Sequence, residues 1–190
     1  MYEDRLRSAE WEVRPVRPET ARLLIESEHY THHTSNTVTY CHGLFRVGEF
    51  WEYNCAGVAW WIPPTKSAAL ATYPDDWQGV LSLSRLVIVP DVPKNACSFL
   101  LARSMKLIDR HRWPCLVTYA DEWQGHTGGI YRATNWDYVG LTKGEMTFQK
   151  DGKVIAKKRG NLTRTYAEME ALGAQQVGRF AKHKFVHIVR

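Results

Sequence analysis

The sequence predicts one α/β domain, α+β in part, built on a mixed sheet. Three observations carry this expectation. The chain has 190 residues, one domain's worth at roughly 100–200 residues per domain. Strand-like and helix-like patterns alternate through its middle. Residues 81–89 are rich in Leu, Ile and Val and stop at Pro90, which reads as a central strand buried on both faces.

The elements follow in order. Residues 11–16 alternate apolar and polar side chains, the period of a short first strand. Pro18, Glu19 and Thr20 open a helix with Ala21, Leu24 and Ile25 on one face, ending near His29. Residues 30–42 are polar and His-rich and read as a loop. Strands are expected at 43–51 and 53–62, the second stopped by Pro63-Pro64. Beyond the central strand, Phe99, Leu100, Met105, Leu107 and Ile108 have helical spacing and predict a helix over 95–111. A strand at 115–120, a short helix at 128–134 and a short strand at 136–139 come next. Within 148–155, Asp151-Gly152 supplies the positive φ of a type I′ hairpin turn. A helix at 166–174 and a strand at 185–189 close the chain.

Composition excludes several classes. With 44% hydrophobic and 24% charged residues the chain is neither a disordered tail nor a fibre. Its longest apolar run, 55–62, is far short of a membrane span. The opening Met1-Tyr2-Glu3-Asp4 has no signal or transit pattern, so a soluble, cytoplasmic protein with no membrane partner is expected. Cys41, Cys55, Cys97 and Cys115 stand singly, without a C-x-x-C pair, and reduced thiols follow. The net charge of +5 is uneven: residues 141–190 hold 11 Lys/Arg against 4 Asp/Glu, and residues 1–140 hold 14 against 16. A basic C-terminal portion of +7 points to an acidic partner such as nucleic acid, with a solvated face as the plainer account. Eight Trp and nine Tyr add surface that can stack on bases or fill a core.

Three constellations could carry chemistry. Asp91-Val92-Pro93 lead through Lys94, Asn95, Ala96 and Ser98 into a helix, whose first N–H groups suit a pyrophosphate; an ordinary strand-to-helix connection reads the same way. There is no G-x-G-x-x-G and no G-K-[ST]. Asp121 ends a buried strand, where α/β sheets place functional groups, and His126 and Tyr131 follow among three glycines. A helix cap and a core tyrosine are the structural accounts of Asp121 and Tyr131. His29 and Tyr30 precede His32 and His33; a metal or phosphate site and a surface loop both accommodate them.

The run from Leu83 to Gly140 resembles the GNAT acyl-CoA N-acyltransferase fold, with its mixed, splayed central sheet. More narrowly, Leu83-Ser84-Arg85-Leu86, Pro93-x-Asn95-x-x-Ser98, Tyr119-Ala120-Asp121, Gly125-His126-x-Gly128 and Tyr131-x-Ala133-Thr134-Asn135-Trp136 together resemble the bacteriophage Mom DNA-modification family. Lys182-His183-Lys184-Phe185-Val186 fits it too. The resemblance implies conversion of adenine in double-stranded DNA to N6-carbamoylmethyladenine, shielding phage DNA from host restriction. It implies a site of Asp121, Tyr131, His29 and Tyr30, a tyrosine as acid to a departing group, and acetyl-CoA or another acyl-CoA held near Ser84, Arg85, Asn95 and Ser98. It also implies iron, with His29 and Asp121 as candidate ligands. The glycine-rich pyrophosphate loop usual in that fold is absent here. Lys157, Lys158 and Arg159 are the candidate phosphate contacts, and a small molecule is the expected donor. An acetyltransferase acting on a small amine, and a DNA-binding accessory protein, are the competing readings.

Overall fold

A computed structural model describes residues 5–159 and 162–188, without the side chains of Lys153, Lys158 and Arg159. The first half runs β1 (Trp11–Pro15), α1 (Pro18–Glu28), β2 (Tyr40–Arg46), β3 (Gly57–Ile62), α2 (Lys66–Leu70), β4 (Val80–Ile88) and α3 (Ala96–Leu107). The second runs β5 (Cys115–Asp121), α4 (Gly129–Arg132), β6 (Asp137–Leu141), β7 (Glu145–Lys150), β8 (Lys153–Ile155), β9 (Lys158–Arg159), β10 (Leu162–Thr163), α5 (Tyr166–Ala171), β11 (Gln175–Phe180) and β12 (Lys182–Ile188). Seven strands make the main sheet, in the order β1-β2-β3-β4-β5-β12-β6. All its pairings are antiparallel except β4 with β5. The mixed sheet is the one expected.

Two irregularities shape this sheet. β4 and β5 pair only at Val80 with Cys115, Leu81 with Leu116 and Ser82 with Val117; beyond that they part. Against β3, Trp60 faces Arg85 and Trp61 faces Leu83, so Ser84 is the extra residue of a bulge, the kind of kink that ends regular pairing. Alternation along the strands then fills two faces. Leu81, Leu83, Leu116 and Ala120 pack under α3 with Leu100, Leu101 and Met105. Val58, Trp60 and Val87 pack on the other face with Ala21 and Ile25 of α1, and Val80, Cys115 and Val117 with Ala69 of α2.

The basic portion 141–190 is split among three sheets, the smallest being β9 with β10. β12 lies inside the main sheet, whereas β11-β7-β8 form a smaller sheet with Phe148, Met169 and Ala174 as its own core. Asp151 and Gly152 both have positive φ, so the expected type I′ hairpin is present. The polar loop expected over 30–42 ends earlier, because Cys41 and His42 belong to β2. His42 is buried, and its Nδ1 lies 2.7 Å from Ser104 Oγ, a partner 62 residues away that no local pattern reveals. β11 and α2 escaped the pattern too. β11 is polar with a bulge between Gln176 and Gly178, and α2 is a single short turn capped by Thr65.

Candidate functional site

Where β4 and β5 part, a cavity of about 420 Å³ opens through the sheet. His29 and Tyr30, just after α1, wall it from one face; Cys97 of α3 and Ile130 and Tyr131 of α4 wall it from the other. Ser84 and Arg85 at the bulge and Thr118 on β5 line its middle. The lip is built by Gly125 and Gly128, both left-handed (φ 69° and 76°), which place the exposed His126 between them. Tyr30 stacks on His29 at 4.4 Å and meets His126 edge-on at 5.7 Å between ring centroids.

Hydrogen bonds assign protons here. The Thr31 backbone N–H donates to His29 Nδ1 at 3.2 Å, so Nδ1 carries a lone pair and the neutral ring holds its proton on Nε2. Burial, with help from the Arg85 charge, pushes His29 down to about 4, which keeps it neutral. Burial first and the Asp121 charge second lift Tyr30 to about 12. Tyr131 is also raised by burial, against a hydrogen bond with Thr118. The cavity therefore presents two protonated phenols and an imidazole N–H. Arg85 donates from Nε to the His33 carbonyl at 2.9 Å and from Nη1 to the Ser84 carbonyl at 2.6 Å. Among the described residues no hydrogen bond engages the ring nitrogens of His126, the remaining imidazole on the wall.

The expected site residues divide. His29, Tyr30, Tyr131, Ser84 and Arg85 come together in the cavity. Asp121 stands beside it: its Oδ1 accepts from Trp123 N at 3.1 Å as a helix cap, and its Oδ2 lies 3.8 Å from Lys182 Nζ. Asn95 and Ser98 line a separate cleft of about 550 Å³ at the start of α3, with Arg5, Lys94 and Gly129. There Asn95 Oδ1 accepts from Leu6 N at 2.6 Å and Ser98 Oγ donates to the Asn95 carbonyl; both shape the loop. Lys157 lies over the Tyr166 ring, 4.3 Å from its centroid, while the side chains of Lys158 and Arg159 lie outside the described residues. Among the described residues no three His, Cys, Asp or Glu side chains form a metal-holding group. Of the two residues named for iron, His29 has its Nδ1 turned to Thr31, and Asp121 has Oδ1 on Trp123 N and Oδ2 3.8 Å from Lys182 Nζ. No helix among the described residues is long and apolar enough to cross a membrane.

Sequence reasoning passed over Thr118 and Cys97, which look like ordinary strand and helix residues until β4 and β5 diverge around them. His126 carried a signal, its flanking glycines, that only the left-handed turns explain.

Solved structures with this fold are N-acetyltransferases. One from Staphylococcus aureus is 11% identical, with a TM-score of 0.55 over 95% of this chain and 99% of its own. The putative acetyltransferase yncA from Salmonella typhimurium, solved with its cofactor acetyl-CoA, is 8% identical, with a TM-score of 0.56 over 95% of each chain. The methylcarbamoylase mom of Escherichia phage Mu is 27% identical over 195 residues, covering 96% of this chain and 77% of that protein. The Mom protein family matches residues 10–189. On the fold of the N-acetyltransferases, this chain belongs to the Mom protein family.

Proposed function

We propose that the chain joins a carbamoylmethyl group to the N6 nitrogen of adenine in DNA, protecting phage DNA from host restriction. A relative named as a methylcarbamoylase and a fold shared with N-acetyltransferases make it a transferase-like enzyme. The cavity through the sheet carries the reading. Walled from both faces, it lets a donor from the α3–α4 side meet an acceptor from the α1 side. Adenine inside a duplex cannot reach such a cavity, so it must leave the stack, and aromatic walls such as Tyr30 suit a flipped base.

The cleft at the start of α3 fits an acyl-CoA. Arg5 and Lys94 bring positive charge to it, and the first turn of a 12-residue helix offers N–H groups to a pyrophosphate. Bound there, a CoA ester would supply an acyl carbon with a thiolate leaving group, which on N6 gives an amide. A carbamoylmethyl product needs a donor whose methylene carries both the amide and the leaving group, so that the N6–CH2 bond forms as the bond to that leaving group breaks. This chain's own residues would handle the protons. His126, with no competing hydrogen bond, takes a proton from the adenine amine; Tyr131 donates to the leaving group; the His29 Nε2–H and Tyr30 orient the base. Asp121 works at one remove, through its charge on Tyr30.

Mass spectrometry of DNA from cells expressing the protein tests this. Carbamoylmethylated adenine is expected. Unmodified DNA alongside acetylation of a free amine would replace the proposal with the acetyltransferase reading, which the CoA-bound neighbours favour.

A further inference from the structure

We propose that a second cleft, on the α1 face, holds the phosphodiester beside the acceptor base; the proposal rests on the DNA reading above. The cleft, about 560 Å³, lies between loop 31–35, the β4 bulge, and residues 154–156 with Arg164. Pockets of this size are ordinary for small ligands. It shares Ser84 and Arg85 with the central cavity, so whatever sits in it neighbours the groups assigned to the chemistry.

Its chemistry is that of a phosphate site. Each ionisable side chain on its wall is basic: His33, Arg85 and Arg164. Thr31, Ser35 and Ser84 add hydroxyls. Among the described residues both guanidinium groups keep donors in reserve. Arg85 spends Nε on the His33 carbonyl and Nη1 on Ser84, with no hydrogen bond from Nη2. Arg164 spends Nη1 on the Ala156 carbonyl at 3.4 Å, leaving Nε and Nη2. Arg164 also feels the charge of Glu168, but Glu168 Oε2 is occupied in capping α5 through Thr165. Planar guanidinium forks with hydroxyls between them match phosphate oxygens. The far wall is β8 of the smaller sheet, next to Lys157. A polyanion running along that basic sheet would therefore place one phosphate here and its base in the cavity. That continuity favours a nucleic-acid strand over a free nucleotide.

Arg164→Glu and Arg164→Gln decide the matter, because Arg164 is partly exposed and lies outside both larger cores. Binding of an adenine-containing duplex is measured against salt concentration. For each variant the slope of log affinity against log salt should fall by about one unit, as for one lost phosphate contact. The apparent KM for DNA should rise about tenfold, while adenosine, which has no phosphate, binds wild type and variants alike. Tyr131→Phe is the control, losing product with its salt slope unchanged. Unchanged slope and KM in both Arg164 variants would overturn the site, as would equal loss of affinity for the free nucleoside. Failure of the wild type to modify DNA would count against the DNA-modification reading alone, since the slope is read from binding.

Discussion

The Thr118 hydroxyl donates to the Leu83 carbonyl at 3.3 Å, spanning the point where β4 and β5 separate. The same side chain lies near enough to the Tyr131 phenol to offset part of the rise that burial causes. Thr118 thus stands both where the sheet opens and beside the phenol.

Thr118→Val should therefore cost about 1–2 kcal/mol, since it leaves buried partners unsatisfied. Urea unfolding measures that loss. Adenine modification, compared at equal folded protein, should fall further than stability accounts for, because Tyr131 loses the hydroxyl beside it. A variant with reduced stability but full product would reduce Thr118 to a structural tie.

Gly128→Ala should be worse than any single hydroxyl loss. Gly128 has φ +76°, and a Cβ there would come within 2.2 Å of the Phe185 ring. Phe185 is fully buried and cannot retreat. Backbone strain of about 1–3 kcal/mol adds to overpacking of a similar size. Little folded protein, or a melting temperature lowered by ten degrees or more, is the expected result; Gly125→Ala, which meets no atom within 4 Å, should show only the strain.

Stability should fall in mild acid. Burial lowers His29 and His42 to about 4, whereas an unfolded His titrates near 6.5. Between those values the unfolded chain binds more protons than the folded one. Unfolding free energy therefore rises with pH across that window and is lost as pH drops from about 6.5 toward 4. His29→Gln should flatten the dependence by about half, measured as unfolding free energy at several pH values. An equally steep profile in that variant would mean that His29 is hydrated and titrates normally in the folded protein.

The sequence made the scaffold legible where burial leaves a one-dimensional trace. The apolar run ending at Pro90 and the spacing from Phe99 to Ile108 located β4 and α3, and Asp151-Gly152 located a hairpin. The site was legible in pieces. His29, Tyr30, Ser84, Arg85 and Tyr131 were each singled out, yet nothing local indicates that the β4 bulge at Ser84 and the parting of β5 bring them to one cavity. Asn95 and Ser98 fell to another cleft because they follow β4 past its divergence. The burial of His42 was hidden for the same reason: its partner Ser104 is on a distant helix.

Asp121 gives the sharpest test of role, because its cap and its charge can be separated. Its Oδ1 caps the turn at Trp123, and its Oδ2 faces Lys182. Asn caps about as well as Asp, and a 3.8 Å pair with the half-exposed Lys182 contributes little. Asp121→Asn should thus hold stability within about 0.5 kcal/mol, whereas Asp121→Ala should lose about 1 kcal/mol. The charge shows itself only at alkaline pH. After burial, it is the Asp121 carboxylate that most raises Tyr30, and removing it should let that phenol ionise at lower pH. Ultraviolet titration of the tyrosines would show one of them moving down in both variants. Tyr30 stays protonated near neutrality in both variants, because burial still raises it; if the protonated phenol orients the base, product at equal folded protein should therefore disappear at a lower alkaline pH in both, although only the alanine loses stability. An unshifted alkaline limit in Asp121→Asn, with reduced modification by Asp121→Ala in proportion to its stability, would make Asp121 a cap and nothing more.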